Sequence, residues 1–180
     1  MSGAIQAAAA EISRLYADIY RWLPERDKSE EGRRQWTEAC GRFHHAYPKL
    51  AFPGGLARMY AEMPRGHSAV LEDAIRFLET DPYFFRSGYL KGDLLRYLAR
   101  APLNAHQEAR LRDVVLARIR GPSRREFRRY CRIARRLSTP EFIAQLKEVV
   151  ETEPGLAARH AEWVLQAISH EGPLPTIHPA

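Results

Sequence analysis

The chain has 180 residues, of which 45% are hydrophobic and 28% charged, a composition typical of an ordinary globular domain with a core of its own. Its first hydrophobic stretch, from Ile5 to Leu23, is interrupted by four charged side chains, so it predicts neither a signal peptide nor a membrane-spanning helix. We therefore expect a cytoplasmic protein without a membrane partner.

The N-terminal part predicts a pair of helices. Apolar residues recur at three- and four-residue spacing up to Pro24, which predicts a first helix over residues 2–23. Ser29, followed by two glutamates, is typical of a helix start, and Pro48 is predicted to end this second helix. Together they predict an N-terminal helical hairpin over residues 1–47.

A connector rich in proline and glycine is predicted over residues 48–67. It holds three prolines and three glycines, and only a short helix near residues 56–63 fits between them. The segment is predicted to separate the hairpin from the more regular pattern that follows.

Six helices at regular spacing are predicted over residues 68–169. Their N-caps include Ser68, Asn104 and Thr139, which stand 36 and 35 residues apart, and Asn104 forms a capping box with Gln107. Thr139 is followed by a proline at the first helical position, where its missing N–H costs nothing. The helices are predicted to begin after the caps Ser68, Asn104, Ser123 and Thr139 and at about Tyr89 and Leu156. They are predicted to end at Asp81-Pro82, at about Arg100, at Gly121-Pro122, at Leu137, at Glu153-Pro154-Gly155 and at about Ser169.

The same spacing appears in the apolar pattern. With an offset of 35 residues, Leu111–Val115 aligns with Leu146–Val150, apolar on apolar and charge on like charge. This pattern resembles HEAT-like repeats, although only Asp113 and Val114 match the usual Asp-Val-Arg motif and Val115 stands in place of the arginine. The resemblance implies an all-α fold, a small right-handed α-solenoid of about three two-helix repeats.

With the N-terminal hairpin, these repeats are expected to form one compact domain, and residues 170–180 a flexible tail. The alternative is a bundle of six consecutive helices without a repeat.

The helix predicted over residues 123–137 has the most strongly divided pattern of the chain. Ser123 and Glu126 have the spacing of a capping box. Apolar residues recur at three- and four-residue steps and predict one buried face. That face consists of Phe127, Tyr130, Cys131, Ala134 and Leu137.

Arginines cover the opposite face and continue into the residues before it. Between Arg118 and Arg136 there are nine arginines and one acid, whereas the whole chain has a net charge of only +6, so the remainder is slightly acidic. We expect this surface to bind a negatively charged partner. Its candidate residues are Arg118, Arg120, Arg124, Arg125, Arg128, Arg129, Arg132, Arg135 and Arg136.

Three partners for this charge are compatible with the sequence. Like charges four residues apart on a helix repel by a few tenths of a kcal/mol per pair, which indicates a counter-charge. The favoured partner is a nucleic acid backbone, bound with little sequence preference by a protein that is not an enzyme. The alternative is an acidic protein partner, with the chain acting as an immunity-like, antitoxin-like or scaffold adaptor. Internal pairing is the third, with Glu141, Glu148, Glu151 and Glu153 as candidate carboxylates.

A second candidate surface lies in the aromatic and basic run over residues 83–93, where Tyr83, Arg86 and Lys91 would stack bases and hold phosphates. Packing of the aromatic rings in the core is the competing interpretation of the same run.

Motifs for catalysis and metal binding are absent from the sequence, so we expect no cofactor and no metal. Cys40 and His44 share a helix face, but two neighbouring residues do not complete a tetrahedral metal site. Both Cys40 and Cys131 are predicted to be buried thiols. The basic helical surface also resembles HEAT-like DNA-base glycosylases, whose cleft would need an acid and aromatic rings; Asp113, Trp163 and Tyr130 are the only candidates here. The sequence leaves the oligomeric state open.

Overall fold

A computed structural model describes residues 2–169, with the side chain of Ser2 excepted. Nine α-helices and two single turns of 3₁₀ helix make up this part of the chain, which contains no β-strand. None of the helices within residues 2–169 combines the length and the apolarity needed to cross a membrane. The expected all-α class is confirmed, and the predicted tail over residues 170–180 lies outside the described residues.

The chain divides into two compact units, Met1–Ser87 and Gly88–Ala180. The first unit contains four α-helices and both 3₁₀ turns, and α1 packs on α2 and on α4. Its helices are α1 (Ser2–Trp22), α2 (Glu30–Leu50), α3 (Gly55–Glu62) and α4 (Ser68–Thr80), with 3₁₀ turns at Leu23–Glu25 and Met63–Arg65.

Two predicted helix boundaries in this unit need correction. The Ser29 hydroxyl caps α2 as expected, accepting from the Gly32 N–H at 3.0 Å, but Pro48 does not end the helix. The helix runs to Leu50, because a proline this near the end removes only one hydrogen bond, and the Ala51 amide donates to the Tyr47 carbonyl at 2.9 Å. Ser68 is the first residue of α4 rather than its cap.

Aromatic rings form much of the core of the first unit. Tyr16 stacks on Phe85 with 4.2 Å between ring centroids, and Phe43 contacts both of these rings. Phe52 and Phe77 are fully buried and pack on each other. The core interpretation of the aromatic run therefore applies to the buried Phe84, whereas Phe85 stacks on Tyr16 but remains 37% exposed.

The second unit begins within α5 and contains the arginine-rich segment. Here α9 packs against α6, α7 and α8, and α6 packs against α7. The capping box of Asn104 and Gln107 is confirmed, and Thr139 caps the helix that begins at Pro140. The helices are α5 (Ser87–Leu98), α6 (Ala105–Ile119), α7 (Phe127–Leu137), α8 (Pro140–Thr152) and α9 (Leu156–Ser169).

Contacts at both ends of α7 show how it lies against α5. Arg125, just before α7, binds Tyr89 in the first turn of α5, and Arg136 at the end of α7 binds the carbonyls of Leu98 and Ala101 at the end of α5. These partners are 35 to 38 residues apart in the chain. The two helices therefore run side by side in the same direction.

A close backbone approach in the first unit depends on a glycine. A Cβ atom at Gly32 would lie 2.1 Å from the carbonyl oxygen of Glu25, so the first turn of α2 touches the 3₁₀ turn directly. Gly41, in the same helix, has no other group within 4 Å of its Cβ position.

We expect the substitution Gly32→Ala to lower the free energy of unfolding by about 1–3 kcal/mol, because the added methyl group pushes two backbone segments apart. The matched control Gly41→Ala is expected to raise it by up to about 1 kcal/mol through helix propensity. Urea unfolding followed by circular dichroism measures both. Equal effects of the two substitutions would contradict the close approach.

Candidate functional site

Helix α7 separates apolar from charged residues as the sequence predicts. All five residues of the expected apolar face are buried, with Ile133 beside them. At 100° per residue, the five arginines of α7 fall within about 120° of arc on the other side. They are Arg128, Arg129, Arg132, Arg135 and Arg136.

The start of α7 differs from the prediction. The helix begins at Phe127, four residues later than expected, and the side chain of Glu126 makes no capping hydrogen bond. The predicted capping box of Ser123 and Glu126 is therefore wrong. Both side chains face other groups instead: the Ser123 hydroxyl lies 3.2 Å from Nε2 of His160 on α9, and the Glu126 carboxylate lies against Gly88.

The carboxylate of Glu126 points into the protein and not along the arginine face. Glu126 is only 7% exposed. Its side chain lies against Gly88, where an added Cβ would be 2.6 Å from Oε2. The one acid between Arg118 and Arg136 is thus withdrawn from the surface, and it offers no counter-charge to the exposed arginines of that segment.

A buried histidine holds the turn between α6 and α7. Nδ1 of His160 lies 2.9 Å from the carbonyl oxygen of Ile119, which only accepts, so Nδ1 carries the proton and Nε2 accepts from the Ser123 hydroxyl. The imidazole also stacks on Phe127, the first residue of α7, with 4.1 Å between ring centroids. His160 therefore fixes both ends of this turn.

Burial lowers the pKa of His160 below its ordinary value of 6.5. The hydrogen bond to Ile119 opposes this change, and the positive charge of Arg159 reinforces it. The lowered pKa of His160 favours the neutral imidazole at neutral pH, in which Nδ1 donates to Ile119 and Nε2 accepts from the Ser123 hydroxyl.

Some of the predicted binding arginines are used within the protein. Both nitrogens of one edge of Arg120 bind Glu153, at 2.6 Å and 2.8 Å. Arg136 donates to the carbonyls of Leu98 and Ala101 at 3.0 Å and 2.6 Å. Arg118, Arg124 and Arg128 are half-buried, and none of them is without a partner.

The internal-pairing hypothesis accounts for only part of the charge. Of the four candidate carboxylates, Glu153 pairs with Arg120, and among the described residues Glu141, Glu148 and Glu151 form no ion pair with an arginine of this segment. Glu108, which was not among the candidates, lies 3.5 Å from Arg136.

Three exposed arginines remain, which we call the cationic stripe: Arg129, Arg132 and Arg135. Within residues 2–169 no carboxylate lies within ion-pairing distance of any of them. The pKa of Arg132 is lowered, first by partial burial and then by the neighbouring cations Arg129 and Arg128. That shift is the sign expected for a positive charge surrounded by like charges.

The second candidate surface is not supported as a unit. Tyr83 is 75% exposed and Arg86 is also exposed, both in the first unit. Lys91 lies in the second unit and is 0% exposed, so its expected place on a surface is corrected. Tyr89, from the same run but not among the predicted site residues, is 50% exposed and contacts Arg125.

The remaining candidate residues differ in their exposure. Tyr130 is only 1% exposed, so its ring is not available to an extruded base, and Asp113 is exposed on α6. Cys131 is buried as predicted, and burial raises its pKa to about 12, whereas Cys40 is only half-buried. Over residues 2–169, no group of three potential metal-binding side chains is found.

Comparison with protein-family models, with curated proteins and with solved structures finds no match to this chain. Function therefore has to be inferred from the chemistry of the surface itself.

The lowered pKa of His160 predicts a loss of stability on acidification. Between the folded-state pKa and 6.5, the unfolded chain binds more protons, so the free energy of unfolding falls as the pH drops below about 6.5. We expect the variant His160→Gln to lose less stability between pH 7 and pH 5 than the natural protein. The exposed His44→Gln variant is the control and should behave like the natural protein. An unchanged pH dependence in His160→Gln, measured by urea unfolding, would rule out this role.

Proposed function

We propose that the protein binds the phosphate backbone of nucleic acids through the cationic stripe, as a binding module and not as an enzyme. The observation that carries this proposal is the uncompensated charge of Arg129, Arg132 and Arg135. These side chains are exposed, and the only acid of their segment, Glu126, is turned inwards. A fixed row of guanidinium groups without counter-ions favours a polyanion.

The residues around the stripe favour binding without sequence preference. The asparagine and glutamine side chains that read base edges are absent from the segment between Arg118 and Arg136. Guanidinium groups on a helix face reach phosphate oxygens on any sequence. Arg125, in the turn before α7, extends the charged surface by about one helical turn.

The HEAT-like architecture is also a proposal. Its support lies in the second unit, where contacts join residues at nearly constant separations. Arg125 binds Tyr89 at a separation of 36 residues, and Arg120 binds Glu153 at 33. Burial follows the same offset, since Leu111 and Val114 are buried and so are Leu146 and Val149. Equivalent helices of successive repeats would contact one another in this way.

The test is the salt dependence of binding to oligonucleotides. The natural protein is expected to lose affinity steeply between 50 mM and 200 mM salt. In the variant with glutamine at Arg129, Arg132 and Arg135, the slope of log K against log salt concentration should fall by about two to three, one unit or slightly less for each lost phosphate contact. Fluorescence anisotropy with a labelled oligonucleotide measures both.

The matched control replaces three arginines of the first unit, Arg21, Arg34 and Arg42, by glutamine, which removes the same net charge. It is expected to bind like the natural protein. An affinity that does not depend on salt concentration, or an equal loss of affinity in the stripe variant and in the control variant, would refute the proposal. Poly-L-glutamate serves as a competitor without phosphate; if it binds as tightly as the oligonucleotide, an acidic protein partner is favoured instead.

A further inference from the structure

An exposed aromatic ring stands beside the cationic stripe. Tyr89 in the first turn of α5 is 50% exposed. The guanidinium carbon of Arg125 lies 4.2 Å from the centroid of its ring, and Nη1 of Arg125 also donates a hydrogen bond to the Tyr89 hydroxyl. The guanidinium group is thereby held against the ring at the surface, in the arrangement that gives arginine and aromatic side chains a cation–π attraction.

Two glycines of α5 lie close to this pair and face α7. Gly88 accommodates the carboxylate of Glu126, and one turn further on, a Cβ at Gly92 would lie 3.7 Å from Cγ of Arg129. The stem of Arg129 therefore rests on the backbone of α5 in the turn that follows Tyr89. This places the first arginine of the stripe about one helical turn from the Arg125–Tyr89 pair.

We propose that this pair is a platform for an unpaired base and that the ligand of the stripe is single-stranded nucleic acid. The proposal rests on the proposed function, because the phosphates of the same strand would bind Arg129, Arg132 and Arg135. In a duplex, the neighbouring base pairs cover both faces of each base, so the bases have no free face to stack on the Arg125–Tyr89 pair. A single strand offers open base faces, and it gains both stacking and phosphate contacts.

The platform also predicts tolerance of base identity and of the sugar. Every base has a face that stacks on an aromatic ring, and neither α5 nor α7 carries an asparagine or a glutamine, the side chains that read adenine edges. Deoxyribose and ribose strands should therefore bind alike within a few-fold.

The first experiment compares four labelled or competing probes: oligothymidylate, oligouridylate, a DNA duplex of the same length, and inorganic polyphosphate. The variant Tyr89→Ala is expected to weaken binding of both single strands on the order of tenfold, the loss typical of one stacked base. Binding of the duplex and of polyphosphate should change less than twofold. Tyr89→Phe keeps the ring and should retain most of the single-strand affinity. Tyr60→Ala, at a tyrosine that is 47% exposed in the first unit, is the matched control.

The outcomes separate this inference from the proposed function. If the substitutions in the stripe abolish binding while Tyr89→Ala weakens all four probes equally or none of them, the stripe stands and the base platform is refuted. If the natural protein binds neither single strand nor duplex, the proposed function fails and the platform fails with it. If Tyr89→Ala weakens binding of the single strands only, both the proposed function and the base platform are supported.

A second experiment does not depend on how the variants fold. Photolysis of a bound oligonucleotide that contains 5-iodouridine cross-links the base to an aromatic ring in contact with it. We expect the cross-link in the natural protein to map to the peptide that contains Tyr89, by mass spectrometry. A cross-link that maps to other aromatic residues and spares Tyr89 would overturn the platform.

Discussion

One buried imidazole contacts both sides of the turn that leads into the arginine helix. His160 accepts from Ser123 and donates to Ile119, and its ring packs on Phe127. Ser123 is thereby oriented towards His160, it caps no helix, and α7 starts at Phe127. The angular position of each arginine around α7 follows from the position of Phe127, and His160 on α9 packs on that residue. The geometry of the charged surface is therefore coupled to a contact with α9.

The far end of α7 is held by a different kind of interaction. Arg136 donates to the carbonyl of Leu98, the last residue of α5, and to that of Ala101 just after it. Each of these carbonyls also accepts a backbone N–H, from Ala101 and from Leu103 respectively. The same residue type thus serves two purposes within one helix. Arg136 joins the end of α7 to the end of α5 and the residues after it. Arg129, Arg132 and Arg135 face outwards, and among the described residues no carboxylate lies within ion-pairing distance of them.

The parts of the fold that the sequence predicted well are those decided by local chemistry. The capping box of Asn104 and Gln107 and the Thr139 cap both involve residues within four positions of each other, so the pattern of residue types is enough. The buried face of α7 likewise follows from spacing. The start of α7 was missed because the partner of Ser123 stands 37 residues away. The division of the arginines into paired and exposed ones was missed for the same reason, as the pair of Arg120 and Glu153 shows at a separation of 33 residues.

The glycines at positions 88 and 92 indicate in the sequence where α5 and α7 approach each other closely, a contact that was not predicted. They stand four residues apart and face α7, and they allow Glu126 and Arg129 to approach the backbone of α5.

The spacing of the three arginines in the cationic stripe restricts the path of a ligand. Steps of three residues on an α-helix turn back by about 60° each, so Arg129, Arg132 and Arg135 wind around α7 over roughly 9 Å of its length. A chain of phosphates that reaches all three must cross the helix obliquely, and one laid parallel to the axis would leave at least one guanidinium group unused.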